Sequence, residues 1–279
     1  MEKYGRLRRA LVSAGLLGPD EITSVDPCPV EPLLAVHDHD YVAAVMACTL
    51  SPSAARRIGL PCSPAFVARA RGSVAATLAA TAAALEDGFA GNLSGGTHHA
   101  HHDFGSGYCA FNDLAVAARW LLDGRHARRV LIFDVDVHQG DGTAALFAGD
   151  PRIFTCSVHG AGNFPFRKVA GDLDLDLPDG TPDEPYLAAV TAALSESLRR
   201  ARPDVVLVQG GVDPLAADRL GRLAVTPAGL HARDLHIMHT VRAAGLPVVY
   251  TLGGGYAEPI DATIEAHLGT YRAARAVFG

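Results

Sequence analysis

Three residues spaced by two carry the first chemical signal in the chain. The apolar run at 129–133 leads into Asp134-Val135-Asp136-Val137-His138. In extended backbone, side chains at i, i+2 and i+4 share one face, so both carboxylates and the imidazole project together while Val135 and Val137 point away. Carboxylates buried beside an imidazole are costly unless a cation compensates them, and a metal ion is the simplest compensation. The alternative is a polar loop in which Asp141 caps the next helix. A second apolar run, at 204–209, opens into Gly210-Gly211-Val212-Asp213, a further carboxylate beside glycines that allow close backbone approach. Asp136, His138 and Asp213 would then be three protein ligands. Three ligands leave a coordination position for water or substrate, the pattern of a catalytic site and not of a closed structural one. The chemistry expected is hydrolysis.

Upstream, Gly95-Gly96-Thr97-His98-His99-Ala100-His101-His102-Asp103 holds four of the chain's 13 histidines. Such a loop could be a metal-scavenging surface, yet Gly95, Gly96, Gly105 and Gly107 suit a shaped loop that approaches something closely. Neighbouring side chains diverge in extended chain, so two adjacent imidazoles facing one pocket need the bent backbone that glycines permit. His98 and His99 are the acid/base candidates, with His101 and His102 expected at the surface or rim. The run at 247–252 ends in Gly253-Gly254-Gly255-Tyr256, which could place a phenol over the metal; the alternative is a core tyrosine.

These residues need a scaffold, and the periodicity supplies one. Apolar positions recur at helical spacing at 7–16, 41–48 and 65–85, so the first half is mostly helical. Asn112 and Asp113 can cap a helix reaching about 122. Runs at 129–135, 152–158, 204–209 and 247–252 read as buried strands, with helices near 184–202, 227–244 and 259–276. Continuous apolar strands separated by helices predict a single-domain α/β fold: a mostly parallel sheet with helices on both faces. In such sheets ligands bind beyond the carboxyl ends of the strands, where the candidate residues fall. The alternating segment 171–177 suits a short edge strand or rim loop with its carboxylates in water. No repeat or linker marks a boundary, so 1–279 is expected to be one domain.

Composition narrows the classes further. With 49% hydrophobic and 19% charged residues, the 279-residue chain can bury a large core and is neither fibrous nor disordered. A net charge of −6 offers no basic face for phosphates, so no direct nucleic-acid partner is expected, and the arginine clusters at 6–9 and 125–129 suit solvated helix ends or loops. Five scattered cysteines without a C-x-x-C pair suggest neither a disulfide framework nor a zinc ribbon and fit a reducing cytoplasm. The charged start shows no export signal, and the longest apolar stretch, 73–85, is too short to span a bilayer. No membrane association is expected; the assembly expected is a monomer or small homo-oligomer.

The blocks G-G-T-H-H-A at 95–100, S-G-Y-C-A-F-N-D at 106–113, D-V-D-V-H-Q-G-D-G at 134–142, G-V-D-P-L-A-A-D-R-L-G at 211–221 and G-G-G-Y at 253–256 resemble, in order and spacing over about residues 28–275, the zinc-dependent histone deacetylase family with its arginase/deacetylase fold. The stretch 218–229 resembles the class IV-like bacterial branch. The resemblance implies that Asp136, His138 and Asp213 hold the metal, usually zinc. It implies that His99 is the general base and acid and that His98 acts chiefly through charge, with Asp134 and Asp141 as the carboxylates orienting the pair. Tyr256 would donate to the substrate carbonyl. Tyr108 and Phe164 would be walls of an acyl-lysine tunnel, and Gly107 would offer a carbonyl to the substrate amide. A potassium ion at Asp134, Asp136, His138 and Ser157 is also implied.

The function expected is therefore removal of an acyl group from an N-acyl amine, most simply an acyl-lysine. Alternatives are an acetylpolyamine or other small-molecule amide hydrolase, and a catalytically silent acyl-lysine binding protein. A two-manganese ureohydrolase would need more Asp and His ligands than the single D-x-D-x-H block offers. Oxygen donors discriminate poorly among first-row ions, so iron(II) is an alternative to zinc. One departure stands out: M-E-K-Y-G at 1–5 matches the position after the family's first strand and loop, so either the true start lies upstream or the chain lacks that strand, which would leave a sheet edge exposed.

Overall fold

The computed structural model describes residues 2–279; Met1, the first residue of the M-E-K-Y-G stretch, lies outside them. Six strands form one sheet: β1 (Phe89–Asn92), β2 (Val130–Asp134), β3 (Ile153–Gly160), β4 (Leu173–Leu177), β5 (Val205–Gln209) and β6 (Val248–Thr251). The order is β1-β6-β5-β2-β3-β4 and every neighbouring pair is parallel. The helices are α1 (Glu2–Ser13), α2 (Glu31–Leu34), α3 (His39–Met46), α4 (Pro52–Ile58), α5 (Pro64–Asp87), α6 (Asp113–Asp123), α7 (Asp141–Phe147), α8 (Asp183–Ala201), α9 (Pro227–Ala243) and α10 (Asp261–Phe278). None of the described helices is long and apolar enough to cross a membrane.

The strand alternation sorts the core onto two faces. Val130, Ile132, Val205, Leu207 and Val249 pack with apolar residues of α3, α5 and α6. Leu131, Phe133, Val206, Val208, Val248 and Tyr250 pack with α8, α9 and α10. Burial on both faces is why β2 and β5 read as unbroken apolar runs. The α/β class with helices on both faces is the one expected. The segment 171–177 is an edge strand, but its carboxylates are not simply in water: Gly171 N–H and Gln139 Nε2 donate to Asp174, and Asp172 accepts from Thr155 N–H. The strand that periodicity missed is β1, whose F-A-G-N sequence has little intrinsic strand preference. Its ladder with β6 holds it in place.

Beneath the strand ends lies a buried ionic network. Arg233 of α9 is wholly buried; its Nη1 donates to Gly211 O at 2.6 Å, Val135 O at 3.3 Å and Tyr186 Oη at 3.2 Å, and its Nε to Asp234 Oδ1 at 2.8 Å. Asp234 also accepts from Tyr250 Oη and from Thr270 Oγ1. One guanidinium thus ties the loop after β2 to the loop after β5. Removing one partner of a buried pair strands the other, so Arg233→Met is expected to lower the unfolding free energy by about 3–5 kcal/mol. The measurement is the urea midpoint at unchanged slope. The double change Arg233→Met/Asp234→Leu should recover part of the loss, and an unmoved midpoint in the single variant would refute a structural role for the pair.

Candidate active site

The D-V-D-V-H segment converges, but not by staying extended. β2 ends at Asp134, and the chain then bends so that each aspartate accepts from the backbone two residues on: Asp136 N–H donates to Asp134 Oδ1 and His138 N–H to Asp136 Oδ1, each at 3.0 Å. These local turns replace the extended face that the spacing suggested. The loop after β5 joins them, because Asp213 Oδ1 accepts from Val137 N–H at 2.9 Å. His138 Nδ1 then lies 3.0 Å from Asp136 Oδ1 and 3.1 Å from Asp213 Oδ2.

Among the described residues, Asp136, His138 and Asp213 are the one group of three such side chains whose donor atoms lie within 4.8 Å of one another. Two oxygens and an imidazole nitrogen suit a first-row divalent ion. The backbone is cut to fit them: a Cβ at Gly211 would strike Asp136, and one at Gly254 would strike Asp213. Burial works against ionising Asp136, yet His98 and the hydrogen-bonded His138 hold it well below the usual carboxylate range. Burial and the charge of Asp136 push Asp213 up, and His138, gripped by both carboxylates against the cost of burial, is pushed up as well. Two buried carboxylates this close repel one another, and a bound cation would relieve that repulsion.

Beside this group stand the two imidazoles of the His loop, both buried, with ring centroids 4.0 Å apart. His98 Nδ1 donates to Asp134 Oδ2 and His99 Nδ1 to Asp141 Oδ1, each at 2.6 Å. The pairs look alike but differ in charge. Burial disfavours the His98 cation, but Asp134 and Asp136 overcome it and push His98 up to about 9. Burial and the neighbouring His98 charge push His99 down to about 4. Near neutral pH His98 is therefore protonated while His99 is neutral with its Nε2 free to take a proton. His101, expected at the rim, instead donates from Nε2 to Asp141 Oδ2 at 3.0 Å and so shares the carboxylate behind His99. His102 is exposed, as expected of a rim residue.

Tyr256 follows the glycines after β6. Its N–H donates to Asp218 Oδ2 at 2.6 Å, and Gly254 N–H donates to Asp136 Oδ2 at 2.7 Å. Burial and the Asp213 and Asp136 charges raise its phenol, which stays protonated. From α1, Lys3 Nζ donates to Gly253 O at 3.2 Å and sits 5.4 Å from the Tyr256 ring centre, a support that no sequence pattern pointed to. A cavity of about 440 Å³ touches His98, His99, Asp136, His138, Asp213 and Tyr256, and Gly107, Tyr108 and Phe164 also line it. Phe164 meets the His99 ring edge-on at 5.0 Å, and Tyr108 lies 6.2 Å from Tyr256. Gly107 has φ +51°, and a Cβ there would run into the His99 ring. Asp134 and Asp141 stand behind the histidines, outside the cavity lining.

The residues that shape the His loop were only half visible in the sequence. Asn112 does cap α6, accepting from Ala115 N–H, but its amide also donates to His98 O, Ala100 O and Thr143 Oγ1. Asp113 accepts from Gly96 N–H, Thr97 N–H and Thr77 Oγ1. His37, which had no pattern around it, completes the cradle: Nδ1 donates to His101 O at 2.8 Å and Nε2 accepts from Asn112 N–H at 3.0 Å. That arrangement needs a neutral ring, and burial pushes His37 down to about 4 from its ordinary 6.5. Because the unfolded chain binds this proton first, stability is full above pH 6.5 and falls as pH drops toward 4. The loss over that window is about 3 kcal/mol, since each pH interval of one between the two values contributes about 1.4 kcal/mol. Urea titrations at pH 7 and pH 4.5 of the parent and of His37→Gln should show a smaller drop in the variant; equal drops would refute this role for His37.

The Histone deacetylase domain family matches residues 1–270. An uncharacterised protein of Picosynechococcus sp. is 44% identical over 278 residues, spanning 100% of this chain and 93% of its own length. The crystal structure of an HDAC homolog from Aquifex aeolicus superposes with a TM-score of 0.79 at 27% identity, covering 96% of this chain and 77% of that one. That of an acetylpolyamine aminohydrolase from Burkholderia pseudomallei superposes with a TM-score of 0.80 at 24% identity, over 100% of this chain and 91% of that one, a likeness of fold.

Proposed function

Since the chain belongs to the histone deacetylase family, a family of metal-dependent amide hydrolases, we propose that it removes acyl groups from lysine side chains. The reading is carried by one observation: two adjacent buried imidazoles, each hydrogen-bonded through Nδ1 to a different aspartate, share a cavity with a three-donor metal group. Asp136, His138 and Asp213 would hold the ion, zinc in this proposal and iron(II) as the alternative. When bound, a divalent ion polarises an acyl carbonyl and lowers the pKa of water.

The rest falls to side chains of this protein. Asp141 keeps the Nδ1 proton of His99 in place, so Nε2 takes the proton of the attacking water and delivers it to the leaving amine. His98 stays cationic on Asp134 and offsets negative charge as it develops. Tyr256 donates its hydroxyl hydrogen to the carbonyl oxygen, whose charge grows in the transition state. Tyr108 and Phe164 flank the lysine methylenes, and the Gly107 carbonyl accepts from the substrate amide. A potassium ion at Asp134, Asp136, His138 and Ser157, the class IV-like bacterial branch, and a single catalytic domain over 1–279 belong to the same proposal.

The test is hydrolysis of one lysine peptide carrying acetyl through long fatty acyl groups, by zinc-reconstituted protein with a chelator-treated control. Chelator-sensitive release of the free lysine peptide is expected, and the preferred chain length reports the depth of the cavity. Absence of turnover across the series, from folded protein with bound metal, would overturn the acyl-lysine reading in favour of a small-molecule amide or a silent binding protein.

A further inference from the structure

The fold is shared with an enzyme of acetylated polyamines, so the carrier of the acyl group must be decided by what surrounds the cavity. We propose that the site takes acyl-lysine set in an acidic peptide segment and discriminates against polycationic carriers. This rests on the acyl-lysine reading above and specifies its substrate class.

The charges lining the cavity are one-sided. Its carboxylates are Asp136 and Asp213, both in the metal group on the buried floor, whereas its wall carries Arg57, Arg69 and Arg222. The outward end is marked by the exposed Tyr108 and by Phe166, which is 84% exposed. Each aromatic wall has an arginine beside it. Tyr108 N–H donates to Ile58 O at 2.8 Å, which sets Arg57 next to the Tyr108 wall. Arg57 lies exposed over the Phe104 ring at 4.5 Å and makes no ion pair among the described residues. Arg222 N–H donates to Asn163 Oδ1 at 3.2 Å, which sets it next to the Phe164 wall. Its one ion-pair partner among the described residues, Asp179 at 3.2 Å, is itself half exposed and leaves the Arg222 side chain 54% exposed.

A lysine side chain threaded to the floor leaves its carrier at the mouth of the cavity that Arg57 and Arg222 line, where charges interact over a screening length of about 10 Å at 0.1 M salt. A polyamine brings ammonium groups there and meets like charge. An acidic segment brings carboxylates, which guanidinium forks bind in two-point fashion and ammonium chains cannot. Two exposed pairs of ordinary strength together give about a tenfold preference, equivalent to ~1.4 kcal/mol.

The experiment compares kcat/KM at low salt for acetyl-lysine hexapeptides flanked by Asp/Glu, by Ser/Gly or by Lys/Arg, for N-acetylspermidine and for the free amino acid Nε-acetyl-lysine, all with zinc-reconstituted protein. The acidic peptide is expected to exceed the basic one about tenfold and N-acetylspermidine by at least as much, with the gap shrinking in 0.5 M salt. Arg57→Glu/Arg222→Glu should reverse the order of the peptides. Equal rates for acidic and basic peptides, or an order unchanged in the variant, would overturn this inference while leaving the acyl-lysine reading intact. Free acetyl-lysine turning over as well as the acidic peptide would overturn the peptide segment as carrier. If N-acetylspermidine alone is hydrolysed, both readings fail.

Discussion

Tyr256→Phe is expected to lower turnover of an acyl-lysine peptide by about 10²- to 10³-fold, the usual loss when one oxyanion donor is removed. The substitution deletes a single oxygen from a phenol kept protonated by burial and by the Asp213 and Asp136 charges. The anchors of its loop are backbone groups, Tyr256 N–H on Asp218 and Gly254 N–H on Asp136, so ring position and metal affinity should persist. The loss should fall on kcat more than on KM, because the donated bond strengthens as the carbonyl oxygen gains charge. Steady-state kinetics with metal content measured on the same sample would check this. Full activity in the phenylalanine variant would refute the assignment of Tyr256.

His99→Ala is expected to cost about 10²- to 10⁴-fold, the range of a general acid/base, and more than His98→Ala. The asymmetry follows from the different surroundings of two rings 4.0 Å apart. His99, pushed down to about 4, is the ring able to accept a proton near neutral pH, while His98, pushed up to about 9, already holds one. Asp141→Asn should cost less than His99→Ala, about 10- to 100-fold, since it disturbs the tautomer and basicity of the ring without removing it. A larger loss in His98→Ala than in His99→Ala would exchange the two roles.

Much of this site is legible in the chain alone. Hydrophobic periodicity is a local property, so the strands expected at 129–135, 152–158, 204–209 and 247–252, found at 130–134, 153–160, 205–209 and 248–251, and the parallel, doubly covered sheet can be read from it. Ligands bind beyond the strand ends in such a sheet, so the polar residues just after each run are the candidates. β1 is illegible for the converse reason: F-A-G-N has no period or propensity of its own and exists as a strand through its ladder with β6.

Local pattern therefore supplies the inventory and its address: two carboxylates and an imidazole after β2 and β5, tandem histidines in a glycine-framed loop, a tyrosine after β6. Which atoms meet, and in what charge state, depends on the folded chain. Asp134 and Asp141 are both aspartates near the same turn, yet one backs His98 and the other is shared by His99 and His101. His37 and Asn112, 75 positions apart, meet to support the His loop. Arg57 and Arg222 line one cavity although helix and loop segments far apart in the chain supply them. Periodicity acts between neighbours in the chain, whereas burial and Coulomb interaction act through space, and it is those two that push the proton affinity of His99 down and that of His98 up.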